Sequence, residues 1–169
     1  LAARVPYRVY GGLRFFERAE IKDALAYLRL ISNRDDDASF ERVVNLPTRG
    51  IGARTLEVLR AHAKAHSVSL WQSAAPCADE LGARGSTALQ AFLALIERLD
   101  ADTRDLPLHE QVDHVIQASG LIEHHQKDKA DRGEARVENL EELVSAARGF
   151  EPEGELPWLQ CYPDELLEA

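Results

Sequence analysis

The chain has 169 residues, 45% hydrophobic and 29% charged, which fits one soluble domain with one core. Its net charge of −9 argues against a protein coated in nucleic acid, and no apolar run approaches the ~20 residues that cross a bilayer. The charge is uneven. Residues 1–64 hold 12 Lys/Arg against 8 Asp/Glu, whereas residues 65–169 hold 8 against 21, so phosphate contacts are expected in the first third. Cys77 and Cys161 are far apart and read as reduced thiols. The chain opens on Leu1 and has no methionine, as expected of a piece of a longer polypeptide.

Taken in order, Val5–Tyr10 is β-rich and stops at Gly11-Gly12, so a short strand is expected, with its pairing partner outside this sequence. A long helix follows over about Phe15–Ser32, with Ile21, Ala24, Leu25 and Leu28 on one stripe. Asp36 or Asp37 caps a short helix from Ser39 to about Val44. Asn45-Leu46-Pro47 is a loop, Arg49–Gly52 a tight hairpin, and the next helix runs from about Ala53 to His66. Ser69 caps a short helix that Pro76 ends.

Gly82–Gly85 reads as a glycine loop. Ser86 caps a helix to about Thr103, with Leu89, Phe92, Leu93, Ile96 and Leu99 inward. Asp105 and Pro107 start a helix that Gly120 stops. A short helix over Ile122–Lys129, a charged loop over Asp128–Gly133 and an amphipathic helix over Ala135–Arg148 complete the series. Glu151–Glu155 is an acidic linker before a weakly helical tail. The expected fold class is all-α: a multi-helix bundle of about seven helices containing a helix-hairpin-helix-like motif, with one short N-terminal strand. The expected division is 1–12, strand and linker; 13–150, helical accessory subdomain; 151–169, linker and tail.

The stretch that carries chemistry is Val43 to Leu56. Gly50 and Gly52 permit positive φ and close backbone approach, and Ile51 between them can plug into the helix pair. The following helix turns its free amides and positive dipole end outward, a ready anion site. Thr48 and Thr55 add hydroxyls, Arg49 and Arg54 add charge, and Arg42–Lys64 holds five Lys/Arg against one Asp/Glu. These parts can hold duplex phosphates without reading bases. The same spacing also fits a plain αα-turn that needs glycine for its geometry.

The hairpin resembles the helix-hairpin-helix motif of non-sequence-specific DNA-binding proteins. The longer run Tyr7–Leu30 resembles the entry into the 2B insertion of UvrD/PcrA/Rep-type superfamily 1A DNA helicases, nearest to the UvrD branch. The likeness continues through Asp35–Asp37, Phe40–Asn45 and the Pro-Thr-Arg-Gly-Ile-Gly loop, and returns at Arg136–Leu143. It spans about residues 5–150. It is most specific over the first 55, weak over 65–135 and loose in the tail, where Pro163 departs from the pattern.

The resemblance implies a swivelling accessory subdomain of an ATP-dependent 3′-to-5′ helicase of the bacterial cytoplasm and nucleoid. Such a subdomain touches duplex DNA beside a single-strand junction through Thr48, Arg49, Gly50, Ile51, Gly52, Arg54 and Thr55. The loop with Arg84 is read either as a second phosphate contact or as a plain cap and turn. Expected partners are the motor domains, repair proteins and DNA, with no membrane; the chain is expected to be a monomer. No cofactor is expected in this piece, ATP and Mg belonging to the parent, because no GxxxxGK[ST] loop or DExx segment occurs in the sequence. No catalytic or metal site is expected.

Bland readings take the rest. His62 and His66, at i and i+4, are a helix surface beside the basic patch rather than a zinc pair. His124 and His125 point to different sides of a helix and read as surface. Asp35–Asp37 and Glu41 are capping and loop residues. A glycosylase would need an aspartate after the hairpin, and the sequence offers only Lys64 until Asp79. Trp71 and Trp158 are core. The competing function is a protein-interaction or autoregulatory module whose acidic 65–169 surface recruits partners; a nuclease or glycosylase is the third.

Overall fold

The computed structural model describes residues 13–128 and 131–149. The expected strand Val5–Tyr10, the tail, Trp158 and Cys161 lie outside them. The described residues form nine helices and no strand, an all-α architecture. In chain order they are α1 (Leu13–Glu17), α2 (Ala19–Ser32), α3 (Asp37–Val43), α4 (Ala53–His66), α5 (Leu70–Ser73), α6 (Ala78–Thr103), α7 (Leu108–Ala118), α8 (Leu121–Gln126) and α9 (Asp131–Arg148).

Helix α2 is the centre, packing against α1, α3, α6, α7 and α9. It is buried nearly all round, Ile21, Ala24, Leu25, Tyr27 and Leu30 fully so; each large apolar side chain so removed from water stabilises the fold by about 1.5–3 kcal/mol. Leu89, Phe92, Ile96 and Leu99 of α6, Val112, Val115 and Ile116 of α7, and Leu140 and Leu143 of α9 close the core. Phe40 meets Phe92 edge-to-face at 5.6 Å and Trp71 at 6.5 Å, which places Trp71 against the core as its apolar surroundings predict.

Burying α2 nearly all round takes polar groups inside, and Glu20 and Asp23 are paired there. Asp23 accepts from Arg42 Nε at 2.7 Å. Burial nevertheless raises the Asp23 carboxyl above its usual range, outweighing the pull of Arg42. Asn139 of α9 grips the α1–α2 corner from both sides: Arg18 Nη1 donates to Asn139 Oδ1 at 2.8 Å, and Asn139 Nδ2 donates to Glu20 Oε2 at 2.6 Å.

Four local expectations are corrected. The long first helix breaks at Arg18, which is extended (φ −66°, ψ 139°) and reaches instead to Asn139 and over the Phe15 ring at 5.6 Å. The glycine loop Gly82–Gly85 shrinks to a kink: only Gly82 leaves helical geometry (φ 77°, ψ 173°), and Ser86 sits inside α6 rather than capping it. The last helix starts at Asp131, within the expected loop, and Gly133 is a packing residue inside it. A Cβ there would stand 2.4 Å from the His125 carbonyl oxygen, so α9 lies on α8 at a distance only glycine permits. His125 is thereby buried, 4% exposed, not a surface residue.

No helix among the described residues is long and apolar enough to cross a membrane. They hold no cluster of three or more His, Cys, Asp or Glu placed to bind a metal ion. His62 stacks on His66 at 4.2 Å and bonds Ser73 Oγ through Nδ1 at 3.0 Å. Cys77 is buried, and burial pushes its thiol pKa up.

Candidate nucleic-acid interface

Helix α3 is capped by Asp36, whose carboxylate accepts from Ser39 N at 3.1 Å, and stops at Val43. The chain passes the cis Leu46–Pro47 peptide and turns through Gly50 at φ +81°, a left-handed conformation that glycine adopts without penalty. Gly52 is extended (φ −100°, ψ −170°) and serves as the N-cap of α4. No side chain caps α4, and its first turn holds no acidic residue. Its first amides, which have no intrahelical partner, therefore stay available beside the positive end of a 14-residue helix.

Asn45 shapes the turn. Its Oδ1 accepts from Arg49 N at 2.6 Å and Ile51 N at 3.2 Å, a side chain standing in for a backbone turn. Ile51 is 1% exposed and plugs the hairpin into the core. Tyr27, fully buried on α2, donates its hydroxyl to the Leu46 carbonyl. Burial pushes its pKa up to about 12, so the phenol stays a donor.

The eight expected contact residues divide in two. Thr48, Gly50, Gly52, Arg54 and Arg84 are exposed. Ile51 and Thr55 are buried, and Arg49 is half-buried with its guanidinium turned inward. Nη1 of Arg49 donates to the carbonyls of Val43 at 2.9 Å and Val44 at 3.3 Å. Nη2 donates to Ser119 O at 3.3 Å and to the Tyr27 hydroxyl, and the group stacks over Phe92 at 5.2 Å.

The local basic excess is also thinner than a count of residues implies. Of the five Lys/Arg between 42 and 64, Arg42 is held by Asp23, Arg49 by the carbonyls and Arg60 by Glu41. Arg54 and Lys64 remain exposed, with no ion pair among the described residues.

Packing gathers further turns at this end of the bundle. A Cβ on Gly85 would stand 3.7 Å from Thr55 Oγ1, so the start of α6 beyond the Gly82 kink lies on the first turn of α4 and brings Arg84 towards the hairpin. The α7–α8 turn docks from another side. Gly120 has φ +90°, a conformation that favours glycine, and a Cβ on it would press on the Pro47 ring at 3.2 Å. Sequence reasoning missed Tyr27, Asn45 and Ser119. Only Asn45 carried a signal, an Asx residue just before a Pro-Thr-Arg-Gly turn.

The exposed part of the turn offers backbone amides, the Thr48 hydroxyl and the Arg54 guanidinium, groups of the kind that can hold an anion. The family described as UvrD-like helicase C-terminal domain matches residues 1–158. The chain is 56% identical over 152 residues to DNA helicase II of Haemophilus influenzae, covering 89% of this chain and 21% of that protein. Against DNA helicase II of Escherichia coli it is 53% identical over 175 residues, covering 100% and 24%. Against the ATP-dependent DNA helicase PcrA of Bacillus subtilis it is 38% identical over 168 residues, covering 98% and 23%. The chain thus spans less than a quarter of the length of these relatives, and it belongs to the UvrD-like helicase C-terminal domain family.

Proposed function

We propose that this chain is the 2B-type accessory subdomain of an ATP-dependent DNA helicase, a non-catalytic duplex grip that regulates the motor. The helix-hairpin-helix-like turn between α3 and α4 holds phosphates near a single-strand junction. The observation that carries the reading is the uncapped, acid-free N-terminus of α4, presented by a turn that Tyr27, Asn45, Arg49 and Ile51 hold in shape. In this reading Thr48, the amides of Gly52, Ala53 and Arg54 and the Arg54 and Arg84 guanidiniums face the backbone of the duplex. Arg49, Ile51 and Thr55 act behind them by fixing the loop. In this reading ATP hydrolysis belongs to motor domains of the parent; the Bacillus subtilis relative is named as an ATP-dependent DNA helicase.

Few phosphates are held, so non-specific affinity is expected to be roughly 10⁻⁴ to 10⁻⁶ M, with the logarithm of affinity falling by about 0.9 per contact for each tenfold rise in salt. Fluorescence anisotropy of a labelled duplex bearing a single-stranded tail tests this at low and moderate salt, with Thr48→Ala/Arg54→Ala alongside. Salt-sensitive, sequence-indifferent binding that the double variant weakens is the expected result. No binding at low salt by a chain shown folded by circular dichroism sinks the reading and leaves a protein-interaction module.

A further inference from the structure

The second glycine turn builds more than a support. Between the hairpin and α8 lies an open pocket of about 350 Å³, lined by Pro47, Thr48, Ser119, Glu123, His124 and Lys127 among others. It shares Thr48 with the hairpin, so its mouth continues the same surface. Its walls are held in fixed relation by the Arg49 bond to Ser119 O and by the Pro47–Gly120 contact. The ammonium of Lys127 rests 3.2 Å from Glu123, one turn away on the same face, with the two side chains 75% and 69% exposed. An exposed pair of this kind holds its cation weakly. Lys127 is therefore free to exchange a monodentate carboxylate for a stronger anion.

We propose that this pocket is a second phosphodiester site on the same duplex, with Lys127 as its cation and Thr48 and His124 as hydrogen-bonding groups. The inference rests on the hairpin reading. A phosphate of the backbone fits because the pocket offers one exposed cation and polar groups beside an apolar Pro47 wall. Glu123 holds Lys127 in place before DNA arrives. Once the phosphate enters, the carboxylate is a like-charged neighbour that keeps this contact weak and reversible.

The test titrates the full 169-residue chain against a labelled duplex between 50 and 200 mM salt, comparing Lys127→Ala, Glu123→Gln and Arg54→Ala. All three positions are exposed, so the variants are expected to fold. Loss of one phosphate contact lowers the log–log salt slope by about 0.9, making the salt-induced loss of binding across this range about 3.5-fold smaller. Lys127→Ala is expected to show that change, and Glu123→Gln to bind more tightly than the parent at 50 mM. If both bind with the parent's slope and affinity while Arg54→Ala is weakened, the pocket site is refuted and the hairpin reading stands. If the parent itself does not bind, both fall. If Lys127→Ala loses an acidic peptide but no duplex, the pocket belongs to a protein partner and the proposal is overturned.

Discussion

Replacing Arg49 with alanine separates a residue that shapes the loop from one that touches the ligand. The change removes donation to three main-chain carbonyls and the Tyr27 hydroxyl, and a stacking contact on Phe92. Net hydrogen bonds from a charged donor contribute about 1.5–3 kcal/mol each, but these share one half-buried group and do not add. A loss of about 3 kcal/mol is the reasonable total. For a chain of this length each kcal/mol moves the melting temperature by about 2–4 °C, so Arg49→Ala is expected to melt about 6–12 °C below the parent. Arg49→Lys keeps the charge without the planar fork and is expected to recover little. Calorimetry gives the first readout and the salt dependence of duplex binding the second. Arg49→Ala is expected to bind more weakly with an unchanged salt slope. Melting within about 2 °C of the parent, with a slope reduced by about 0.9, would refute the reasoning and make Arg49 a phosphate ligand.

Asn45→Ala strips the acceptor from two loop amides and is expected to cost about 1–2 kcal/mol in urea unfolding, with faster hydrogen exchange at Arg49 N and Ile51 N; unchanged exchange there would count against the Asn45 clamp. Gly120→Ala meets both a positive φ and the Pro47 ring, and is expected to destabilise by about 1–2 kcal/mol; a neutral result in thermal melts would mean the two turns are not in contact. His125 has no hydrogen-bond partner at Nε2, and burial, with His124 and Arg136 adding to it, lowers its pKa against the opposing pull of Glu20 and Asp128. The unfolded chain then binds the proton more readily than the folded one. Stability is therefore expected to be level above about pH 6.5 and to fall as pH drops below it towards the lowered folded value. His125→Leu should shrink the melting difference between pH 7.5 and 5.5; an undiminished difference would place the acid sensitivity elsewhere.

Local signals were readable wherever one residue type has one mechanical reason to be present. Asp36 and Ser69 cap the helices they precede, α4 runs from Ala53 to His66 as its periodicity predicts, and Gly120 ends α7. What the sequence hides is decided by contacts distant in the chain. Arg18 interrupts the first helix with neither glycine nor proline to mark the break, and its side chain bonds Asn139, 121 positions away. Gly133 reads as a loop residue and is a packing residue. At the hairpin, charge counting found a basic excess, but it could not tell that Arg42, Arg49 and Arg60 are occupied. A guanidinium's partners depend on what the fold brings near it, and Tyr27, Val43 and Ser119 converge on Arg49 only once α2, α3 and the α7–α8 turn have packed.

The inward guanidinium of Arg49 also has a mechanical meaning. A pull on the hairpin loop does not end at the loop: it passes through one planar group into the end of α3, a buried tyrosine of α2, a phenylalanine of α6 and the turn before α8. Such a joint spreads a load over four parts of the bundle and gives the loop little travel of its own. If this end of the bundle holds DNA, rotation of the whole body turns the duplex with it, as a wrench turns a bolt, rather than stretching the grip.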